Sequence, residues 1–146
     1  MSAVLRISEV RQRFDAVLIA AKYHRSAQHY DRFGRDADQL QPASFAIGAP
    51  RSSFDAFDGR DRFGTEGEAA TVIGVKTAHR LTPDDPHGSY DLALDDEQGV
   101  ITACLDVDTN MMDVRLESAE RAVTPEGGFL VSSILLLVHH RYSFDR

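Results

Sequence analysis

The chain has a single cysteine, Cys104, among its 146 residues. One thiol excludes an internal disulfide framework and any paired-cysteine metal or redox motif, and it fits a reducing compartment. Long apolar runs are also missing. The longest is Ile134-Leu135-Leu136-Leu137-Val138, whereas a membrane-spanning helix needs about 20 apolar residues. The opening MSAVLRISEVRQRF is broken by charges and does not read as a secretory signal. Positive charge is not in surplus: 16 Lys and Arg against 23 Asp and Glu give a net charge of −7. That argues against a broad phosphate-binding surface, because non-specific nucleic-acid affinity comes from neutralising phosphates. Neither Gly-x-Ser-x-Gly, nor a phosphate loop ending Gly-Lys-Ser/Thr, nor His-Glu-x-x-His occurs. What is present, 42% hydrophobic and 27% charged residues, suits one globular domain over residues 1–146 with a core of its own.

Apolar periodicity predicts the elements. From Ser8 to about His24, the residues Val10, Phe14, Val17, Leu18 and Ala21 recur at helical spacing. Ser8 is the expected cap, and Glu9 stands in the first turn, where the helix dipole favours negative charge. Residues 26–68 are polar and irregular, with a short strand expected at Ser44–Ile47 and a projecting loop over Ala49–Glu68. Ala70–Leu81 alternates as a strand. Thr71, Ile73, Val75, Thr77, His79 and Leu81 point one way, and Val72, Gly74, Lys76, Ala78 and Arg80 the other. Turn chemistry at residues 82–88 precedes a second helix expected over Ser89–Leu105, capped by Ser89 and burying Tyr90, Leu94, Ile101, Cys104 and Leu105. Met112–Ala122 and Phe129–Phe144, joined by Thr124-Pro125-Glu126-Gly127-Gly128, predict a C-terminal β-hairpin. The sum is an α+β domain, a mostly antiparallel or mixed sheet with both helices on one face.

Candidate chemistry is sparse. Asp106-Val107-Asp108-Thr109-Asn110 with Glu117 has the oxygen-ligand spacing of a calcium loop. Met111, however, stands where that loop needs a glycine for its sharp turn, and a strand pattern follows where a helix is required. The stretch therefore reads as a polar connection. His139 and His140 are strand neighbours and point to opposite faces, so they do not converge on one ion. Cys104 reads as a small buried hydrophobe, and Asp95, Asp96 and Glu97 as a solvated helix face. No metal site, cofactor or catalytic residue is expected, although a small metal-binding domain or enzyme using His79, His139 or Asp106, Asp108 and Asn110 stands as the alternative of a different class.

The final strand is unusual. Leu130, Ile134, Leu136, Val138, Tyr142 and Phe144 share one face, yet Val131, Leu135 and Leu137 make the opposite face apolar too. A strand covered by helices on one side ordinarily shows a polar outer face. Two accounts fit: the outer face meets a partner, or residues 26–68 fold back over it. The first makes Val131, Leu135, Leu137 and His139 candidate oligomer-interface residues.

The segments Val10–Ala21, ATVIGVKTAHRL (70–81), SYDLALDDEQGVITACL (89–105) and the ending MDVRLESAERAV, turn, FLVSSILLLVHHRYSF together resemble the tail terminator proteins of long-tailed bacteriophages and related particles. The resemblance implies a subunit of a hexameric ring in the virion tail, assembled in the bacterial host cytoplasm. Such a ring caps the tail tube, ends its polymerisation and joins the tail to the head. Its implied partners are other copies of itself, the tail tube protein and a neck or head-completion protein, without catalytic residues or cofactors. It would place the 49–68 loop toward the lumen or a neighbour, with Arg51, Arg60 and Arg62 facing passing DNA or acidic partner surfaces. Another head–tail connector or tail-completion protein is the nearest alternative.

Overall fold

The computed structural model describes residues 4–35, 40–56, 66–107 and 112–144. In chain order these form α1 (Ile7–Ala20), β1 (His24–Arg25), a 3-10 turn (Tyr30–Arg32), β2 (Ser44–Ile47), β3 (Arg51–Ala56), β4 (Glu66–Arg80), α2 (Pro86–Leu105), β5 (Met112–Val123) and β6 (Phe129–Ser143). The strands make one mixed sheet in the order β1-β2-β4-β6-β5, and β3 also pairs with β4. Among the described strands only β1 and β2 run parallel. The architecture is α+β, as the periodicity predicts.

The antiparallel pair β4 and β6 is the spine, 15 residues each, in register from Glu66 opposite Ser143 to Arg80 opposite Phe129. Side chains directly opposite one another share a face, so this register settles which residues sit together. Ile73 and Val75 of β4 and Ile134, Leu136 and Val138 of β6 form the floor under the helices. Onto it α1 lowers Val10, Phe14 and Leu18, one per turn, and α2 lowers Val100 and Cys104. Each fully buried side chain of this kind contributes roughly 1.5–3 kcal/mol. Leu5, ahead of α1, is buried and donates its N–H to the Arg141 carbonyl (3.1 Å), extending β6's pairing past the start of β5.

Several local expectations are corrected. The cap of α1 is Arg6, whose backbone N–H donates to Glu9, and Ser8 lies within the first turn. Helix α2 begins three residues before Ser89. Pro86 stands at its start and the Asp85 carboxylate accepts from the Gly88 N–H (3.0 Å), because proline's missing N–H costs nothing in a first turn. Its buried stripe is Ser89, Ala93, Glu97, Val100 and Cys104, while Tyr90 and Leu94 are exposed. The 49–68 stretch is not simply a loop. Arg51–Ala56 is a strand laid antiparallel along Gly67–Val72 of β4, taking over the edge that β2 leaves at Ile47. Residues 57–65 lie outside the described residues, and with them Arg60 and Arg62.

Candidate interaction surface

Among the described residues, the sheet face turned away from the helices is covered over only part of its length. At one end Ala46, Ala78 and Val131 form a second buried cluster under Phe33 and Leu40, flanked by Tyr30 and Phe129. The polar segment after α1 folds back to provide this cover. Its close approach depends on small residues. A side-chain carbon at Gly74 would come 2.3 Å from the Tyr30 hydroxyl, one at Gly48 would come 3.0 Å from the Tyr30 ring, and Gly34, at φ +88°, sits against Val131. Lys76 fastens the segment, donating to the Tyr30 carbonyl (3.1 Å) with its ammonium 4.3 Å from the ring centre.

Beyond Gly74 no described residue continues the cover. The next row across the sheet reads Arg51, Val72, Leu137, Arg115, each side chain directly opposite the next on β3, β4, β6 and β5. Strand spacing makes this row about 14 Å wide. Leu135 and Ser118 lie on one side of it, and Ala70, His139 and Asp113 on the other. Leu135 is 36% exposed, and Val72 and Leu137 are half-buried. Val72, Leu135 and Leu137 thus make an aliphatic patch bracketed by two exposed arginines. Arg115 shares Asp113 at 3.3 Å, but both side chains are mostly in water, where such a pair holds weakly.

Of the residues expected at an interface, Leu135, Leu137 and His139 fall together on this uncovered half. Val131 does not: Phe33 and Leu40 bury it, so it belongs to the subunit's own core. Arg51, expected on a loop, is the first residue of β3 and borders the patch. Arg115 and the opposition of Val72 to Leu137 escaped the sequence reading, because alternation assigns faces but not strand register.

The candidate chemical residues do not converge. His79 and His140 both lie on the helix side, ten residues apart along β4's register, a separation of about 30 Å. The His79 ring bonds Thr77 Oγ1 (2.8 Å) and meets Tyr23 edge-on. Burial holds its imidazole below the usual value, partly offset by Asp96 and Glu97. His140 bonds Thr71 Oγ1 (2.8 Å), which also meets Ser52 Oγ (2.8 Å). Burial lowers it as well, with the Arg141 carbonyl acting in the opposite sense. Burial pushes the Cys104 thiol up to about 12, so it stays protonated at neutral pH. Asp106 caps the end of α2, residues 108–111 lie outside the described residues, and Glu117 is on β5. Among the described residues no three His, Cys, Asp or Glu side chains gather as metal ligands.

Glu97 departs most from expectation. It is 1% exposed and faces the sheet, where Arg121 donates to both carboxylate oxygens and Ser132 Oγ donates at 2.6 Å. Burial alone raises its pKa. The bonds and charge from Arg121 and the bond from Ser132 outweigh that and hold it low. The pairing ties α2 to β5 and β6, a structural use of the carboxylate. The three polar partners could be recognised only with the β5–β6 register, which sets Arg121 opposite Ser132.

No family model and no curated protein matches this chain.

One other apolar feature lies at the far end of the sheet. Phe54 meets Tyr142 and Phe144 edge to face, and those two rings are tilted to each other, with ring centres 4.8–5.4 Å apart, next to a cleft of about 430 Å³ lined by Leu5, Ile7 and Phe144.

Proposed function

We propose that this chain is a structural subunit that assembles with copies of itself into a ring. Its role is that of a phage-type tail terminator, closing a tail tube and presenting a surface to the head's neck. The observation that carries the reading is the half-face without cover among the described residues: Leu135 is exposed and Val72 and Leu137 only half-buried, although the same sheet recruits a dedicated segment to bury its other half. Exposed aliphatic patches on a sheet of this kind mark contact surfaces. The order of helices and strands supports the tail-terminator form of the reading. Tube protein and neck protein would meet the ring's two rims.

Electron microscopy and mass measurement of the purified protein test this. Rings, or oligomers that grow with concentration, are expected. Leu137→Asp should abolish them while leaving the subunit's circular dichroism and unfolding midpoint close to wild type. A Leu137→Asp chain that fails to fold at any concentration would mean the patch is internal core, and a wild-type chain that stays monomeric throughout would overturn the reading.

A further inference from the structure

The negative charge of the chain is concentrated in one segment. Between Arg80 and Arg115 fall nine of the 23 Asp and Glu and none of the 16 Lys and Arg, leaving the rest slightly basic with 14 acidic residues against 16. Helix α2 occupies the middle of this segment. With Glu97 turned inward, the helix exposes Asp91, Asp95 and Asp96. Among these carboxylates stands Leu92, at 66% exposure the most exposed large apolar side chain of the described residues. Asp91 precedes it in sequence, and Asp95 and Asp96 follow one turn later on the adjoining helix surface.

The uncovered half-face lies on the opposite side of the same two-layer subunit, and its character differs: aliphatic in the middle, with Arg51 at one end and Arg115, loosely paired with Asp113 in water, at the other. We infer that copies of this chain stack head to tail, the outer face of α2 of one copy docking on the uncovered sheet half of the next. Leu92 meets Val72, Leu135 and Leu137, and the aspartates around it turn toward Arg51 and Arg115. This rests on the self-assembly reading and names the two surfaces that carry it. Charge decides against the simpler arrangement in which two uncovered faces meet each other. A twofold axis running along or across the strands lays an arginine over an arginine, and like charges across a contact are costly. Two different surfaces on opposite sides of a subunit make a heterologous contact, which generates a ring when the rotation per subunit closes.

Two charge-reversed proteins test the inference. One carries Asp91→Lys with Asp95→Lys on the helix, and the other Arg51→Glu with Arg115→Glu on the sheet. All four positions are exposed, and circular dichroism reports whether each variant keeps the wild-type fold. In sedimentation velocity, each variant alone should associate about 100-fold more weakly than wild type, because lysines then face arginines or carboxylates face aspartates. Mixed in equal amounts, they should regain association, since the two proteins can alternate with every contact complementary. If the helix-reversed protein assembles like wild type, the inference is overturned and self-assembly through another surface stands. If both variants are impaired and mixing restores nothing, the pairing of these two faces is wrong. A monomeric wild type overturns the inference together with the reading beneath it.

Discussion

The outer sheet face is built from the same paired strands throughout, yet its two halves have different fates. Around Ala78 and Val131 the chain supplies its own cover. Phe33 and Leu40 are buried on the sheet, and Tyr30 lies over Gly74 and Gly48. Around Val72 and Leu137 the sheet is equally apolar but nothing comparable lies on it among the described residues. The difference begins at Gly74. A side chain there would strike Tyr30, so the covering segment reaches that point only because glycine leaves the space. Apolar content alone therefore does not tell which half of the face the chain covers. What separates the halves is whether the chain has small residues where a covering segment must lie close.

Substitutions can break this contrast. Phe33→Ala removes a ring that is 4% exposed and should cost about 3 kcal/mol or somewhat more in chemical denaturation. Leu135→Ala, on the same face of the same sheet, should cost less, about 1 kcal/mol in the monomer, because Leu135 keeps 36% of its surface in water in the folded subunit. Equal costs would mean that both halves are core. Gly74→Ala should cost a similar amount, about 1 kcal/mol, by pushing aside the tip of Tyr30. It should also lengthen the bare half-face, so that association tightens as stability falls. A smaller effect comes from the helix side. His79 and His140 are held neutral below their usual value by burial, so the unfolded chain takes up protons first as the pH falls. Stability is full above about pH 6.5 and declines as the pH drops through that value toward the lower folded values. His79→Gln should flatten part of this decline in unfolding midpoints measured from pH 8 downward, and a profile that does not change would assign the loss elsewhere. Glu97 adds a later loss, below its unfolded value of 4.5, because its carboxylate is held ionised by Arg121 and Ser132.

Much of the fold is legible along the chain. Alternation over residues 70–81 and 129–144 assigns both long strands and the correct faces of His79, Val72, Leu135 and Leu137. It also shows that both faces of β6 need cover. What it leaves open is which cover goes where: the chain folds back over the half around Val131, and the half around Leu137 carries no comparable cover among the described residues. Arg51–Ala56 is missed because RSSFDA has little strand character. It becomes a strand only by completing β4's edge, a tertiary effect that local propensity does not encode. The buried stripe of α2 is misplaced for a related reason. Tyr90 and Leu94 outrank Ser89, Ala93 and Glu97 in hydrophobicity, but the small residues let the helix approach the sheet and Glu97 finds its partners there. Polar satisfaction decides that face, and it depends on residues distant in sequence.

The pairing of β5 skips Glu117, with Leu116 opposite Leu136 and Ser118 opposite Leu135. An unpaired residue midway along an edge strand bends it and interrupts the regular alternation of N–H and C=O groups that another chain would need as a template. An edge interrupted at Glu117 is a poorer template for open-ended strand addition than a regular one. If subunits assemble as proposed, the broad faces rather than this ragged edge are left for them to meet through.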